Sequence, residues 1–343
     1  MFSFENDYSE GACAQVLDAL VKTNYEQVSG YGLDKYCKKA AEIIKKEINN
    51  ENVDVHFIPG GTPCNTLTVS LLKPYEAVIC ADTGHINTHE TGSVEATGHK
   101  IIPIPAVDGK ITAKQIELTV SKFPDEHMVK PAMVFIANPT ELGTIYSKQE
   151  LTTISDMCKA HGLYLYIDGA RLASGLTAQT NDLTMSDICE LSDIFYIGGT
   201  KNGALYGEAL IIKNDELKPN FRYLIKQKLA MMAKARVMGV EFIALFQDDL
   251  YYKLAKQANL CAQTLKTVLT HFGMELYVDT YTNQIFAIVE NNLLNKIKKE
   301  YIVTDWGKYD ETHTIVRFVC SWNTKMQDIK NFTDYLTKIS SQG

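Results

Sequence analysis

Over the first two thirds of the chain, short apolar runs of strand length alternate with stretches in which apolar positions return every three or four residues. The runs are "VDVHFI", "AVICA", "IIPI", "AMVFIA", "LYLYID", "DIFYIG" and "ALIIK", rich in β-branched and aromatic residues. Most are apolar at successive positions, the pattern of strands covered on both faces. Among the intervening stretches, "SKQELTTISDMCKAHG" carries both of its helix boundaries: Ser147 as N-cap, Glu150 in the capping-box position and Gly162 where the helix should stop. "TAKQIELTVSK" repeats the device with Thr112 and Gln115. Strands alternating with helices predict an α/β fold whose sheet is mostly parallel and covered on both sides.

From about Pro219 the pattern changes. Long helical stretches run through "FRYLIKQKLAMMAKARVMGVEFIALF" and "DLYYKLAKQANLCAQTLKTVLTHFG", followed by strands in "QIFAIVE" and "HTIVRFVCSW" and a closing helix from Lys325. The expected organisation is an N-terminal arm over residues 1–15, a large domain over 16–247 and a smaller α+β domain over 248–343. A chain of 343 residues is long enough for two domains.

With 45% hydrophobic and 22% charged residues, neither disorder nor a fibrous class is favoured. The net charge of −7 supplies no broad positive field, which argues against nucleic acid as the main partner. The eight cysteines (Cys13, Cys37, Cys64, Cys80, Cys158, Cys189, Cys261 and Cys320) show no two-residue spacing of a zinc knuckle or redox dithiol and are read as reduced. "MFSFENDYSE" has no basic region leading into an apolar core, and no stretch approaches the roughly 18 apolar residues of a membrane span. A cytoplasmic location is expected, with no membrane contact.

In open α/β sheets ligands bind beyond the carboxyl ends of the strands, so the residues just after each strand carry the candidate chemistry. After "VDVHFI" comes "PGGTPCN". There Thr62 is read as a helix cap with Pro63 at the first helical position, so the segment is either an anion-binding helix start or an ordinary turn. After "AVICA", His85 and His89 stand four apart with Glu90 adjacent. They are open to three readings: a weak metal pair with no evident third ligand, a ring stacked on a flat ligand, or a solvated helix face. After "LYLYI", Asp168 ends a buried strand and needs a partner to stay ionised; Arg171 is one candidate, a protonated ring nitrogen another. After "DIFYIGGT" comes Lys201, fenced by Gly198, Gly199 and Gly203. A buried lysine whose pKa is lowered is the amine that a carbonyl cofactor requires. In strand order, an anion cradle, a ring, a carboxylate and a lysine describe a pocket for pyridoxal phosphate.

The segments "FENDYSEGA", "GYGLD", "GGTPCN", "GHINTHETGSVEATGHK", "PTELGTIYS", "YIDGARL", "GGTKNGAL" and "VRFV" resemble the low-specificity L-threonine aldolases over almost the whole chain. These are fold type I, aspartate aminotransferase-like enzymes of pyridoxal phosphate. The resemblance implies a mostly parallel seven-stranded sheet in the large domain. It also implies cleavage of L-threonine or L-allo-threonine to glycine and an aldehyde.

By the same resemblance Lys201 holds the cofactor as a Schiff base, Asp168 meets the ring nitrogen, His85 lies over the ring face, and Gly61 and Thr62 grip the phosphate. Arg171 is expected near the ring hydroxyl and the substrate carboxylate, Arg317 as the main carboxylate clamp and Asn6 beside it. Tyr31, Lys228 and Arg236 are expected to reach a neighbouring subunit's cofactor in a homodimer or homotetramer. Some relatives carry a second histidine where Thr140 and Glu141 stand here. That departure leaves the base open among His85, Glu141, a phosphate oxygen and water. No resident metal is expected. The rival readings are a β-eliminating lyase or aminotransferase on the same cofactor, a non-catalytic binding module, and a hydrolase using His85, His89 and Glu90 around a metal.

Overall fold

The computed structural model describes residues 1–341. In chain order the strands are β1 (Phe2–Ser3), β2 (Asp54–Ile58), β3 (Glu76–Ala81), β4 (Lys100–Ile104), β5 (Lys130–Ala137), β6 (Tyr164–Asp168), β7 (Ile194–Gly198), β8 (Glu208–Ile212), β9 (Glu275–Val278), β10 (Gln284–Glu290), β11 (Tyr301–Ile302), β12 (Thr304–Lys308) and β13 (His313–Val319). The apolar runs of the first two thirds are the strands of one seven-stranded sheet, ordered β2-β8-β7-β6-β5-β3-β4. Strands β3 to β7 pair in parallel, and β8 alone is reversed, antiparallel to both β7 and β2.

Successive residues of these strands enter two different apolar cores, which is why the runs do not alternate with polar residues. Ile79, Val134, Ile136, Ile167, Phe195 and Ile197 join Leu151 and Ile154 on one face. Val78, Met133, Phe135, Tyr166, Tyr196 and Leu210 join Cys64 and Leu67 on the other.

Both capping boxes read from the sequence form. Ser147 accepts from the Glu150 amide at the head of helix Lys148–Ala160, and Thr112 accepts from the Gln115 amide before helix Ala113–Val120. A third box joins Thr184 and Asp187 before helix Met185–Leu191, hidden from the usual pattern because aspartate replaces the longer acid. The first long C-terminal stretch splits into helices Phe221–Gln227 and Arg236–Phe246. The break turns through Leu229 at φ 65, a residue that periodicity does not mark as a breaker.

Four of the remaining six strands build an antiparallel sheet, β12-β13-β10-β9, in a separate small domain. Its core packs against helices Leu250–His271 and Met326–Ser340 through Leu265, Phe318, Phe332 and Leu336. Strands β9 and β12 are short and largely exposed, so their apolar signal is weak. The N-terminus belongs to both cores. β1 pairs in parallel with β11 and Phe4 is fully buried in the small core, whereas Ala12, Cys13 and Val16 are buried in the large one. Residues 5–11 are therefore stretched between the two sheets.

Glu241, in helix Arg236–Phe246, is fully buried, with no ion-pair partner among the described residues and only the backbone amides of Leu205 and Tyr206 opposing the cost of its charge. Burial pushes its pKa up to about 8. Between its ordinary value of 4.5 and about 8 the folded state therefore holds a proton that the unfolded state has released. The free energy of unfolding should fall with rising pH across that window and level off above it, with a slope from this group of at most about 1.4 kcal/mol per pH unit. Glu241→Gln should flatten the slope in urea titrations between pH 5 and 8; an unchanged slope would show that this carboxyl is not the source.

Candidate functional site

The carboxyl ends of β2, β3, β5, β6 and β7 converge on a cavity of about 300 Å³ whose walls include Gly61, Thr62, Asn65, His85, Asp168 and Lys201. A second cavity of about 430 Å³ adjoins it. It shares Tyr8, His85, Glu141, Arg171 and Lys201 and adds His89, Thr304, Trp306 and Arg317. Three of those additions come from β12 and β13, so the small domain closes the site.

Lys201 follows β7 by three residues, and glycine explains how it comes to stand beside Asp168. The Gly198 amide donates to the Gly169 carbonyl at 3.0 Å, and a Cβ at Gly198 would lie 2.3 Å from the Ala170 carbonyl oxygen. Only a residue without a side chain allows the ends of β6 and β7 to press together in this way. Burial lowers the Lys201 pKa, and the nearby Arg171 guanidinium adds to that effect against the opposing pull of Asp7, Asp168 and Glu208. Burial also raises Glu208, whose Oε2 accepts from the Gly199 amide at 2.8 Å.

Asp168 is held by hydrogen-bond donors. Its Oδ1 accepts from the Tyr196 hydroxyl at 2.5 Å and the Ala170 amide at 2.9 Å, while Oδ2 accepts from Asn65 Nδ2 at 3.4 Å. The ion pair with Arg171 allowed by the sequence does not form. Arg171 instead grips Asp7 through two parallel bonds, Nε to Oδ2 at 2.7 Å and Nη2 to Oδ1 at 2.9 Å. Asn283 also donates to Asp7, at 2.9 Å. Burial opposes ionisation of Asp7, yet Arg171 and Lys201 hold its carboxyl below the usual range. The short spacing of Asp168 and Arg171 made them look like partners, whereas the chain crossing between the domains supplies a better-aligned carboxylate.

The cap expected at Thr62 is corrected. Helix Gly61–Val69 begins one residue before Thr62; Gly60 is its N-cap, and no side chain caps it. Pro63 is therefore the third helical residue and not the first. The amides of Gly61 and Thr62 are left for an anion at the helix start, and Pro63 contributes none. A Cβ on Gly61 would stand 2.9 Å from the Tyr196 hydroxyl, the group that holds Asp168.

His85 opens the short helix His85–Thr88, and its amide donates to Glu141 Oε1 at 2.8 Å. Its Nδ1 lies 2.7 Å from Glu90 Oε1. His89 stacks in a tilted arrangement between His85 and Trp306, at 5.7 Å from each ring. Among the described residues no group of three or more His, Cys, Asp or Glu side chains is arranged to hold a metal. Burial pushes Glu141 up to about 7.

Arg317, on β13, lies 5.0 Å from the Trp306 ring centre and donates from Nη2 to the Glu5 carbonyl at 3.2 Å; its Nε is buried without a partner. Asn6 stays outside the cavity walls, where its Oδ1 accepts from the Tyr8 amide and the Ser9 hydroxyl, each at 2.9 Å. Tyr31 lines a different cavity with Arg222. Arg236 is spent on the carbonyls of Glu26 and Thr23, both at 2.6 Å, and Lys228 ends helix Phe221–Gln227. None of these four reaches the cavity within one chain.

Asp7, Tyr8, Asn65, Tyr196, Glu208 and Trp306 were not singled out by sequence reasoning as parts of the site, and Glu90 was read only as a neighbour of a weak metal pair. Their roles arise from contacts between residues far apart in the chain, as Asp7 with Arg171 and Asn65 with Asp168 illustrate. The cavity's donor set suits pyridoxal phosphate. It offers a helix start with free amides for a phosphate, a carboxylate held by three donors for a ring nitrogen, and a buried lysine of lowered pKa for an aldehyde.

The sequence model of the family described as "Beta-eliminating lyase" matches residues 6–292. The low specificity L-threonine aldolase of a Pseudomonas species is 31% identical, with 98% of each chain covered. That of Pseudomonas aeruginosa is 29% identical, covering 95% of this chain and 94% of the relative. Among solved structures, the threonine aldolase of Leishmania major is 45% identical and superposes with a TM-score of 0.98 over 99% of each chain. The histidinol-phosphate aminotransferase of Clostridium acetobutylicum, at 13% identity and a TM-score of 0.75, shares the fold alone.

Replacing Asp7 by alanine leaves a buried guanidinium without its carboxylate and should cost about 3–5 kcal/mol of stability by urea titration at pH 7. Because the folded pKa of Asp7 is lowered from 3.8, its contribution is complete above that value and disappears as pH falls through the lower folded pKa. An Asp7→Ala protein as stable as the original would contradict the structural weight given to this pair.

Proposed function

The chain belongs to the beta-eliminating lyase family, in its low-specificity L-threonine aldolase group, and on that premise we propose how its side chains divide the work of the reaction. The protein is a pyridoxal-phosphate-dependent lyase that cleaves threonine to glycine and an aldehyde. The observation that carries the reading of the site is the meeting of Lys201 and Asp168 in one cavity at the ends of adjacent strands. When bound, pyridoxal phosphate supplies an aldehyde that condenses with amines and a ring that accepts the electron pair of a bond broken at Cα.

Lys201 is the amine that would anchor the cofactor. The burial that lowers its pKa favours the neutral, nucleophilic form. Asp168, kept in place by Tyr196, Ala170 and Asn65, is the carboxylate that would hold a proton on the ring nitrogen. The Gly61 and Thr62 amides would hold the phosphate, and His85 would face the ring.

Of the two cavity arginines, Arg171 is already neutralised by Asp7, which supports Arg317 as the principal clamp for the substrate carboxylate, while Arg171 would serve the ring hydroxyl. A planar fork bound at both ends fixes the amino acid's rotation, and rotation selects which bond at Cα is broken. His85 accepts the β-hydroxyl proton through Nε2, the ring nitrogen not engaged by Glu90. L-allo-threonine and related β-hydroxy amino acids enter by the same contacts. Asn6 would join the carboxylate by turning from its present cap.

We assign Tyr31, Lys228 and Arg236 to a neighbouring subunit's site in a homodimer or homotetramer. Exposed large apolar side chains support this: Tyr25 is 94%, Leu229 88% and Tyr223 77% accessible. No helix among the described residues is long and apolar enough to cross a membrane. Eight free, buried cysteines support a reducing, cytoplasmic setting.

The purified protein with pyridoxal phosphate should release glycine and acetaldehyde from L-threonine; pyruvate and ammonia from serine as the main reaction would instead favour a β-eliminating lyase. Lys201→Ala should lose turnover and borohydride-fixable cofactor, and retention of both would end the assignment. Arg317→Ala should raise KM for threonine roughly 10- to 150-fold, the equivalent of about 1.5–3 kcal/mol for a charge-assisted contact; an unchanged KM would move the clamp elsewhere.

A further inference from the structure

Glu90 has a fully buried side chain, and the only basic side chain within ion-pairing distance of it among the described residues is His85. A carboxylate buried without lysine or arginine is costly unless several donors converge on it. Three do. His85 Nδ1 stands 2.7 Å from Oε1, Asn65 Nδ2 donates to the same oxygen at 2.6 Å, and the Ser93 hydroxyl donates to Oε2 at 2.6 Å. The same Asn65 amide group reaches Asp168 Oδ2 at 3.4 Å, while its Oδ1 accepts from the Tyr166 hydroxyl at 2.7 Å. Tyr166 thus sets the orientation of the Asn65 amide, so that both of its hydrogens face carboxylates. An unbroken set of hydrogen bonds runs from His85 through Glu90 and Asn65 to Asp168.

We propose that Glu90 is a positioning residue that holds His85 with its proton on Nδ1 and its Nε2 lone pair bare, and that joins this imidazole to Asp168 through Asn65. A carboxylate only accepts, so the ring nitrogen facing it must donate, and the other nitrogen is left as the base. The same logic orients imidazoles in acid–base triads, where a neutral amide in place of the carboxylate allows the wrong tautomer. Here it rests on the assignment of His85 as proton acceptor made above. Glu90 also counters the charge His85 would gain on taking up a proton.

Glu90→Gln keeps the shape and one accepting oxygen but offers Nδ1 a donor as well, so both tautomers become possible. In the holoenzyme it should lower kcat for threonine roughly 10- to 100-fold while KM changes less than about threefold. In a His85→Phe background the same change should cost less than about twofold, because there is no imidazole left to position. A full, independent loss in that background would overturn the proposal, since a purely structural role would be additive.

A second arm needs no turnover. Long-range nitrogen–proton NMR of the cofactor-free protein, with His85 identified by its absence in His85→Phe, should show one Nδ1–H species in the unaltered chain and mixed tautomers in Glu90→Gln. An Nε2–H imidazole in the unaltered chain would overturn the proposal, and that spectrum decides the matter even if the Gln variant does not fold. If threonine is not cleaved at all, the aldolase reading falls, while the tautomer measurement still decides for Glu90.

Discussion

The close approach of two strand ends governs the rest of the site. Where β7 stops, the Gly198 amide bonds to the Gly169 carbonyl, and the space a Cβ would need is already taken by the Ala170 carbonyl. This contact brings a lysine and an aspartate that are 33 positions apart in the sequence into one cavity. A side chain at that point would force the loops apart and separate the two groups. Chemistry at the lysine and charge control at the ring nitrogen both rest on a backbone packing constraint.

Electrostatics then decides what each group can do. Burial works on Lys201, Glu208 and Glu141 in the same sense, favouring the uncharged form of each. Asp7 escapes because Arg171 meets it with two aligned bonds. The pairing has a second effect: it removes one cavity arginine from competition for a substrate carboxylate and leaves Arg317, braced by Trp306, to receive it. Asp7 reaches Arg171 only because the N-terminal segment is anchored in the small core at Phe4 and in the large core at Cys13. Domain closure and charge balance are thus parts of one arrangement.

Much of the fold was legible because its signals are local. The seven apolar runs, the boxes at Ser147 and Thr112, and the stop at Gly162 are all set by residues within a few positions of one another. Where local signals are weak or unusual the reading slipped. The helix start at Gly61 was placed late because threonine and proline resemble a cap more than glycine does, and the break at Leu229 has no marker residue. The exposed strands β9 and β12 carry too little apolar pattern to be seen.

By itself the sequence determined which groups follow each strand, since strand ends are encoded locally and an α/β sheet places those ends on one side. Lys201, Asp168, His85 and the Gly61–Thr62 turn could therefore be read as one pocket before any contact was known. Only the tertiary structure decided who pairs with whom: Arg171 with Asp7, Glu90 with His85, and Asn65 between two carboxylates. The reason is physical. A hydrogen bond depends on distances of a few tenths of an ångström between atoms contributed by distant segments, and no periodicity or spacing along the chain carries information at that scale.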